Sequence, residues 1–315
     1  MVYRVSNTRW HLKKAARNVL AATAWASGWL AAREKLAVRP RVRVLTYHRF
    51  GESARDPFCV APGDFDAQMR WLAEHRLAVS LDDLALFLAG EKDLPDGAVL
   101  VTVDDGFRSV YTEMLPVLKA YAIPAVAYVT PSLIRDRTGA RVLGEYGVAE
   151  SEPYLAWDEL ERLAAAGVVI GSHGWTHRSL GRMGPIEARD ESFRSRQMLQ
   201  KRLGLRVTSF AYPYGTRADF SHTTGTVLAE AGYTTALTSQ HGAIARDANP
   251  LELPRIKIEG GESHWMFQCL CRGAMDGWRL VDRTLSRVQH SDPFAPPESA
   301  QKADTEGRLR PSDSL

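Results

Sequence analysis

The sequence predicts an α/β fold, with an irregular (β/α) barrel of fewer than eight units as the first choice and a doubly wound open sheet as the alternative. Two observations support this prediction. Short apolar runs alternate with amphipathic segments at least six times along the chain. The apolar runs are continuous, which is typical of strands buried on both faces, and helices between such strands indicate parallel pairing.

The predicted elements share simple local patterns. Each strand is a short apolar run, and the first two helices follow a capping residue, Asp64 and Ser80. We expect strands at 43–47, 99–103, 124–130, 168–173, 209–215, 234–239 and 254–258, and helices at 64–75, 80–88, 108–121, 158–166 and 223–231. Pro116 predicts a kink or restart in the third helix. Asp158 is the expected cap of the fourth, and Gly167 its stop.

Length and composition indicate a globular protein. The 315 residues are enough for one large domain or two ordinary ones, and 45% hydrophobic with 24% charged residues is not the composition of a disordered or fibrous chain. The net charge is +3, but no internal run of lysine and arginine suits a phosphate backbone, so nucleic acid is not an expected partner. The three cysteines have no C-x-x-C spacing and are expected to be buried hydrophobes.

Residues 1–40 are predicted to form a basic and apolar leader helix. Residues 1–17 carry basic side chains and no acid, and the uncharged residues 18–32 are too few to span a bilayer as a helix. Three interpretations remain open: a secretory signal, a helix that contacts a membrane surface through residues 18–32, and a soluble helix packed on its alanine face. A cleaved or anchoring leader would place the protein outside the cytoplasm, in the cell envelope; without one, a cytoplasmic location is expected.

The rest of the chain is divided into a main domain and a tail. Residues 41–275 are the predicted main domain, and residues 276–315 are a C-terminal extension. The extension is polar, contains proline and lacks periodicity, so we expect disorder from about residue 290.

Two adjacent carboxylates, Asp104 and Asp105, follow the strand expected at 99–103. Polar residues directly after a buried parallel strand lie at the carboxyl edge of the sheet, where active sites form. Neighbouring carboxylates repel each other unless a positive charge lies beside them. The pair therefore indicates a cation site, with a simple Asp-Asp-Gly turn as the alternative.

His173 and His177 occupy the same kind of position, after the apolar run V-V-I-G-S at 168–172. Two histidines four residues apart can face one ion from a helical turn, and Gly174 allows the loop to curl. Together with Asp105 they leave coordination positions open, which is typical of a catalytic divalent metal site. The alternative is a pair of exposed or helix-capping histidines.

Three segments resemble the ordered motifs of the polysaccharide deacetylases, carbohydrate esterase family 4, which contain the NodB homology domain. They are T-V-D-D-G-F at 102–107, I-G-S-H-G-W-T-H-R-S-L at 170–180 and F-A-Y-P-Y-G at 210–215. The resemblance extends from about Val42 to Gly261. It implies a NodB-like TIM barrel of the irregular (β/α)7 type, a divalent metal, commonly Zn²⁺, and removal of acetyl groups from N-acetylated sugars.

The resemblance also implies roles for individual residues. Asp105, His173 and His177 would hold the metal, and Asp104 would be the general base. A metal-bound water would attack the acetyl carbonyl, and the metal with a backbone N–H near Tyr214 would hold the oxyanion.

The third motif is expected to line the sugar site. Tyr212, Pro213 and Tyr214 are its candidate substrate-binding residues, although Tyr212 could instead pack on the barrel rim.

The sequence departs from the family pattern at two places. Ala211 stands where many members carry an arginine that orients the catalytic aspartate, and no Leu-x-His motif supplies a general acid. Arg255, which we also place at the substrate site, is a candidate for the missing positive charge. His48 is the candidate proton donor, with a rim histidine as the alternative and His264 as the other late candidate.

The leading hypothesis is a metal-dependent hydrolase that removes N-acetyl groups from a polysaccharide or chitooligosaccharide. The alternatives are a catalytically silent glycan-binding member of the same fold and a deacetylase of a small or lipid-linked sugar.

Overall fold

The computed structural model describes residues 7–30, 32, 40–52, 56–135 and 153–278. The predicted disordered tail lies outside these residues, as does most of the predicted C-terminal extension.

Seven parallel strands form the main sheet, and two further short strands pair beside it. In chain order the strands are β1 Arg43–Tyr47, β2 Arg49–Phe50, β3 Cys59–Val60, β4 Val99–Val103, β5 Ala125–Val129, β6 Val169–Ser172, β7 Ser209–Ala211, β8 Thr235–Leu237 and β9 Ile256–Lys257. The main sheet has the order β8-β7-β6-β5-β4-β1-β9, and β2 pairs with β3. Strands β1, β4 and β5 are buried along their whole length, as their continuous apolar runs predict.

One segment joins the two edges of the main sheet. The Thr238 N–H donates to the carbonyl of Leu253 at 2.8 Å, next to β8, and Ile256 pairs with Leu45 of β1. Since this segment is bonded on both sides, the sheet curls round instead of staying open. The prediction of an irregular (β/α)7-type barrel is confirmed, and the doubly wound open sheet is wrong.

Helices cover the outside of the barrel. Within the described residues they are α1 Asn7–Ala26, α2 Pro62–Glu74, α3 Leu81–Ala89, α4 Leu115–Tyr121, α5 Trp157–Ala165, α6 Pro185–Leu203, α7 His222–Glu230 and α8 His264–Cys271. No helix in these ranges combines the length and the apolar character needed to cross a membrane.

The predicted caps and stops of two helices can be compared with the structure. Ser80 caps α3 by accepting from the Asp83 N–H at 3.0 Å, and Asp83 accepts from the Ser80 N–H at 2.9 Å. The predicted Asp158 cap is wrong, because α5 begins one residue earlier and the Glu159 carboxylate accepts the Ala156 N–H. Gly167 ends this region with φ +91°, as predicted.

The predicted helix at 108–121 consists of two parts. Residues Val110–Met114 form a π-helical turn, and α4 begins at Leu115. Pro116 lies in the first turn of α4, where its missing N–H has no intrahelical partner to lose. The restart predicted from Pro116 is confirmed.

The N-terminal helix α1 is docked on the barrel by charged side chains. Arg17 forms salt bridges with Glu259 at 3.2 Å and Glu262 at 2.8 Å, and the Lys14 ammonium donates to the Gly261 carbonyl at 2.6 Å. These partners follow β9 directly. Helix α1 therefore holds the segment that leaves the carboxyl end of β9.

Candidate active site

Three potential metal ligands meet at the carboxyl edge of the barrel. Asp105 follows β4, and His173 and His177 follow β6. The Asp105 Oδ1 lies 3.4 Å from His173 Nε2 and 3.3 Å from His177 Nε2. One ligand atom from each of the three residues lies within 4.8 Å of the other two. Parallel strands produce this convergence, because their carboxyl ends share one edge.

The two histidines reach this point from a loop, so the predicted helical turn is wrong. The left-handed backbone of Gly174, with φ +78°, and of His177, with φ +62°, reverses the chain between the two rings. Asp105 is also left-handed, with φ +73°. Non-glycine residues rarely adopt this conformation, and when they do they often lie at functional sites.

The hydrogen bonding of His173 fits a metal ligand. Its Nδ1 donates to the Ala211 carbonyl at 2.7 Å, so Nε2, which lies 3.4 Å from the Asp105 Oδ1, is the ring nitrogen available to a metal. Burial by itself raises the pKa of Asp105, but hydrogen bonds from His173 and His177 bring that pKa well below its usual value. Two imidazole nitrogens and one ionised carboxylate suit a borderline cation such as Zn²⁺.

Asp104 is held by a buried arginine that directly precedes β9, two strands away from β4 in the sheet. Arg255 donates from its two terminal nitrogens to the two carboxylate oxygens, at 2.8 and 2.7 Å, and both side chains are buried. The Arg255 Nε also donates to the Thr238 carbonyl at 2.9 Å. Burial tends to raise the pKa of Asp104, but the charge of Arg255, then that of His173, leave it lowered.

Arg255 does not lie where the sequence predicted it. It lies beneath Asp104 in the barrel interior, so the prediction that it lines the exposed substrate site is wrong. Its contact with Asp104 instead matches the other expectation, a positive charge in place of the arginine absent at Ala211. The arginine comes from the residue directly before β9, and not from position 211 at the end of β7.

His48 follows β1 and is near enough to Asp104 and Asp105 for their charges to act on it. Its ring packs edge-on against Phe58, with centroids 4.8 Å apart. Burial lowers the pKa of His48 to about 4, although the charges of Asp105 and Asp104 oppose that shift. The buried Nδ1 has no hydrogen-bond partner within the described part of the chain.

The loop after β7 forms another wall. Tyr214 is partly exposed, and its ring lies edge-on to His177, with centroids 5.0 Å apart. Pro213 is buried, and its carbonyl accepts the Gly215 N–H at 2.7 Å. A Cβ on Gly215 would lie 2.5 Å from the Ser239 nitrogen, so the loop can approach Ser239 only through glycine.

Two sequence candidates lie elsewhere. Tyr212 is fully buried, and its hydroxyl donates to the Leu251 carbonyl at 3.1 Å. The prediction that Tyr212 binds the sugar is therefore wrong; the alternative, packing at the rim, is correct, because a buried phenol needs a polar partner and has one here. His264 is exposed at the start of α8, with its ring over Phe267.

Two buried carboxylates that sequence reasoning missed brace the loops of the site. Glu191 on α6 accepts from the Thr176 hydroxyl at 2.8 Å, within the loop that carries both histidines. Asp219 accepts the Ser179 hydroxyl at 2.6 Å and the Thr216 N–H at 2.9 Å, joining the loops after β6 and β7. No local pattern marks these residues, because their partners are brought to them by the fold.

Known proteins resemble this chain over the same region. Residues 91–236, which include Asp104, Asp105 and both histidines, match the family model "Polysaccharide deacetylase". YxkH of Bacillus subtilis strain 168, whose name assigns it to the polysaccharide deacetylases, is 26% identical over 244 residues, covering 76% of this chain and 78% of the relative. The poly-β-1,6-N-acetyl-D-glucosamine N-deacetylase of Escherichia coli K12 is 28% identical over 135 residues, covering 42% of this chain and 20% of the relative.

A solved structure shares the fold. The Streptococcus pyogenes deacetylase PplD in complex with acetate aligns with a TM-score of 0.62 and 22% identity, covering 74% of this chain and 97% of that one. The chain therefore contains a segment, residues 91–236, that matches the polysaccharide deacetylase family, and the solved structure shows that the fold is shared.

Proposed function

We propose that this protein is a metal-dependent hydrolase that removes N-acetyl groups from a polymer of N-acetylglucosamine. The observation that carries the proposal is that two neighbouring carboxylates have different partners. Asp105 faces two histidines, and Asp104 is paired with Arg255. One carboxylate is thus arranged to bind a cation, and the other to stay ionised beside it.

Asp105, His173 and His177 would hold the metal, which we propose is Zn²⁺. A bound dication supplies a Lewis acid for the acetyl carbonyl and brings the pKa of water toward neutrality. The chain's part is to present three ligands, Asp105 after β4 and the two histidines from the loop after β6, and to leave the remaining positions open.

Asp104 is the proposed general base. Its two hydrogen bonds to Arg255 fix the plane of the carboxylate and keep it ionised, so it can accept a proton from the attacking water. Arg255 acts through Asp104, and burial keeps it away from the substrate.

His48 is the proposed donor to the leaving nitrogen. It follows β1, and the charges of Asp104 and Asp105 act to raise its pKa. A pKa of about 4 keeps His48 neutral at pH 7 in the resting protein. The proton that it delivers must therefore reach it after the substrate has bound.

The E. coli relative's name suggests the first substrate to test, a β-1,6-linked N-acetylglucosamine oligomer. The partly exposed Tyr214 is the proposed contact for a sugar ring, because aromatic side chains at the mouth of a site provide apolar area at little cost in rotamer entropy.

Acetate release tests the proposal. The full chain is incubated with β-1,6-linked and β-1,4-linked N-acetylglucosamine oligomers, with added Zn²⁺, Co²⁺ or Ni²⁺ and with a chelator. We expect release that the chelator abolishes and that metal restores, with Asp105→Ala losing both activity and bound metal. Glycan binding without release under every metal would favour the silent alternative, and release from a small or lipid-linked acetylated sugar alone would identify the other.

A further inference from the structure

A lysine lies near the open end of the barrel, on the segment that carries Arg255. Arg255 and Lys257 are alternate residues of one extended segment, so their side chains leave it on the same face. Lys257 pairs with Thr46 of β1, one pair closer to the carboxyl edge than the pair of Ile256 and Leu45. Lys257 is partly exposed, whereas Arg255 is buried below it.

The ring of Phe58 fixes the position of the Lys257 ammonium. Lys257 Nζ lies 3.5 Å from the centroid of this ring, in a cation–π contact. The same ring lies edge-on to that of His48, with centroids 4.8 Å apart. Phe58 therefore holds the ammonium in the neighbourhood of the imidazole, and the charge of Lys257 acts on His48.

The two cations of this segment have different surroundings. Arg255 donates to both oxygens of Asp104 and is closed off from solvent. Lys257 is partly exposed, on the β9 side of His48. A substrate group that approaches His48 therefore meets the positive charge of Lys257.

We propose that Lys257 is a specificity-determining residue that keeps protonated glucosamine out of the reaction site. The inference rests on the proposed function, in which the leaving nitrogen receives its proton from His48. The acetamido nitrogen of the substrate is neutral, whereas the amine of the product is a cation at neutral pH. Lys257 therefore repels the product and not the substrate. The site then favours N-acetylated stretches of a polymer over stretches that already carry free amines.

Binding of a β-1,6-linked glucosamine tetramer tests the proposal, because this ligand has no acetyl group to lose. The zinc-loaded full chain is titrated with it in a calorimeter at pH 6. We expect Lys257→Met to bind the tetramer about tenfold more tightly than the wild type, since the variant lacks a like charge close to a ligand amine. Methionine keeps an apolar stem over Phe58. The KM for the acetylated tetramer, measured by acetate release, should stay close to the wild-type value.

The pH dependence separates the effect of charge from that of shape. A sugar amine with a pKa close to that of an α-amino group, about 8, is charged at pH 6 and mostly neutral at pH 9.5. The pKa of His48 is about 4, so His48 stays neutral over this range. Asp104 and Asp105 stay ionised, and Arg255 stays charged. The advantage of Lys257→Met should therefore vanish at pH 9.5, and high salt should reduce it at pH 6.

Three further variants control for folding and for net charge. Lys119→Met removes the same charge from an exposed side chain on α4, which leads into the start of β5 at the opposite end of the barrel. It should bind the glucosamine tetramer as the wild type does. Lys257→Arg should also bind as the wild type does, whereas Lys257→Gln should reproduce the gain. Circular dichroism checks that each variant is folded.

The proposal is overturned if neither neutral variant at Lys257 binds the glucosamine tetramer more tightly than the wild type, or if the gain persists at pH 9.5. It is also overturned if Lys257→Met raises the KM for the acetylated tetramer by a similar factor, because Lys257 would then be a contact for the substrate. Failure of the proposed function is a separate result, the absence of acetate release by the wild type. The calorimetric titration does not depend on release.

Discussion

Two buried arginines hold carboxylates near the two ends of β9. They differ in the number of carboxylates that each one contacts. Arg255 meets one carboxylate, Asp104, through two hydrogen bonds. Arg17 meets two, Glu259 and Glu262, with one terminal nitrogen directed at each. The first arginine balances the charge of its carboxylate, whereas Arg17 alone leaves one negative charge in excess, which the nearby Lys14 offsets only in part.

This difference changes the acidity of the carboxylates. The pKa of Asp104 is lowered although the group is buried, because a full positive charge is dedicated to it. Burial and the neighbouring Glu259 raise the pKa of Glu262 to about 7, against the opposing charge of Arg17. A buried arginine therefore secures an ionised carboxylate only when no second carboxylate shares it.

The largest expected effect is at the balanced pair. Asp104→Asn removes the proposed base and leaves the three metal ligands in place, so acetate release should fall about 10³-fold while bound zinc is retained. Metal analysis and kcat/KM measure the two results. Loss of zinc together with activity would mean that Asp104 is a ligand.

The next largest effect is on the stability of the group formed by Arg17, Glu259 and Glu262. Arg17→Met leaves two buried carboxylates without their cation, which should cost about 4 kcal/mol of unfolding free energy at neutral pH. Denaturant unfolding measures it, and zinc binding by the folded variant should be unchanged. A matched change in zinc affinity would show that α1 and the candidate active site are coupled.

The pH dependence of stability distinguishes the pairs by sign. The pKa of Glu262 is raised from its ordinary 4.5 to about 7, so its contribution is complete below about pH 4.5 and is lost as the pH rises through 7. Glu262→Gln should remove this decline, worth about 3 kcal/mol. Asp104 behaves oppositely, since its contribution is present above its ordinary pKa and is lost as the pH falls.

Thermal unfolding from mildly acidic to mildly alkaline pH measures this decline. Glu187→Gln, at an exposed carboxylate on α6, is the control and should keep the wild-type slope. An equal slope in wild type and Glu262→Gln would contradict the assignment.

The smallest effect tests the geometry of the Asp104 pair. Arg255→Lys keeps a positive charge but loses the two parallel hydrogen bonds, so we expect about a 30-fold loss in kcat/KM, or about 2 kcal/mol. The acid limb of the pH profile should move upward, because the pKa of Asp104 is less strongly held down. An unchanged acid limb would mean that Asp104 is not the titrating base.

Much of the site could be read from the chain, because each part of it directly follows a buried strand. The runs before Asp105 and His173 predicted strands, and the rules of parallel sheets bring strand ends to one edge. The ligand set and its edge position therefore need no distant information. The barrel was also the preferred prediction, because buried strands that alternate with helices indicate a parallel sheet covered by helices.

The sequence alone determined a parallel α/β barrel with two aspartates and two histidines at its carboxyl edge, since these depend on local runs and on chain order. Tertiary structure decided the rest: Arg255 reaches Asp104 across 151 residues, Tyr212 turns inward to Leu251, and Glu191 braces the histidine loop. These contacts join residues far apart in the chain. No local propensity specifies them, because they depend on which side chain the closed barrel places opposite another.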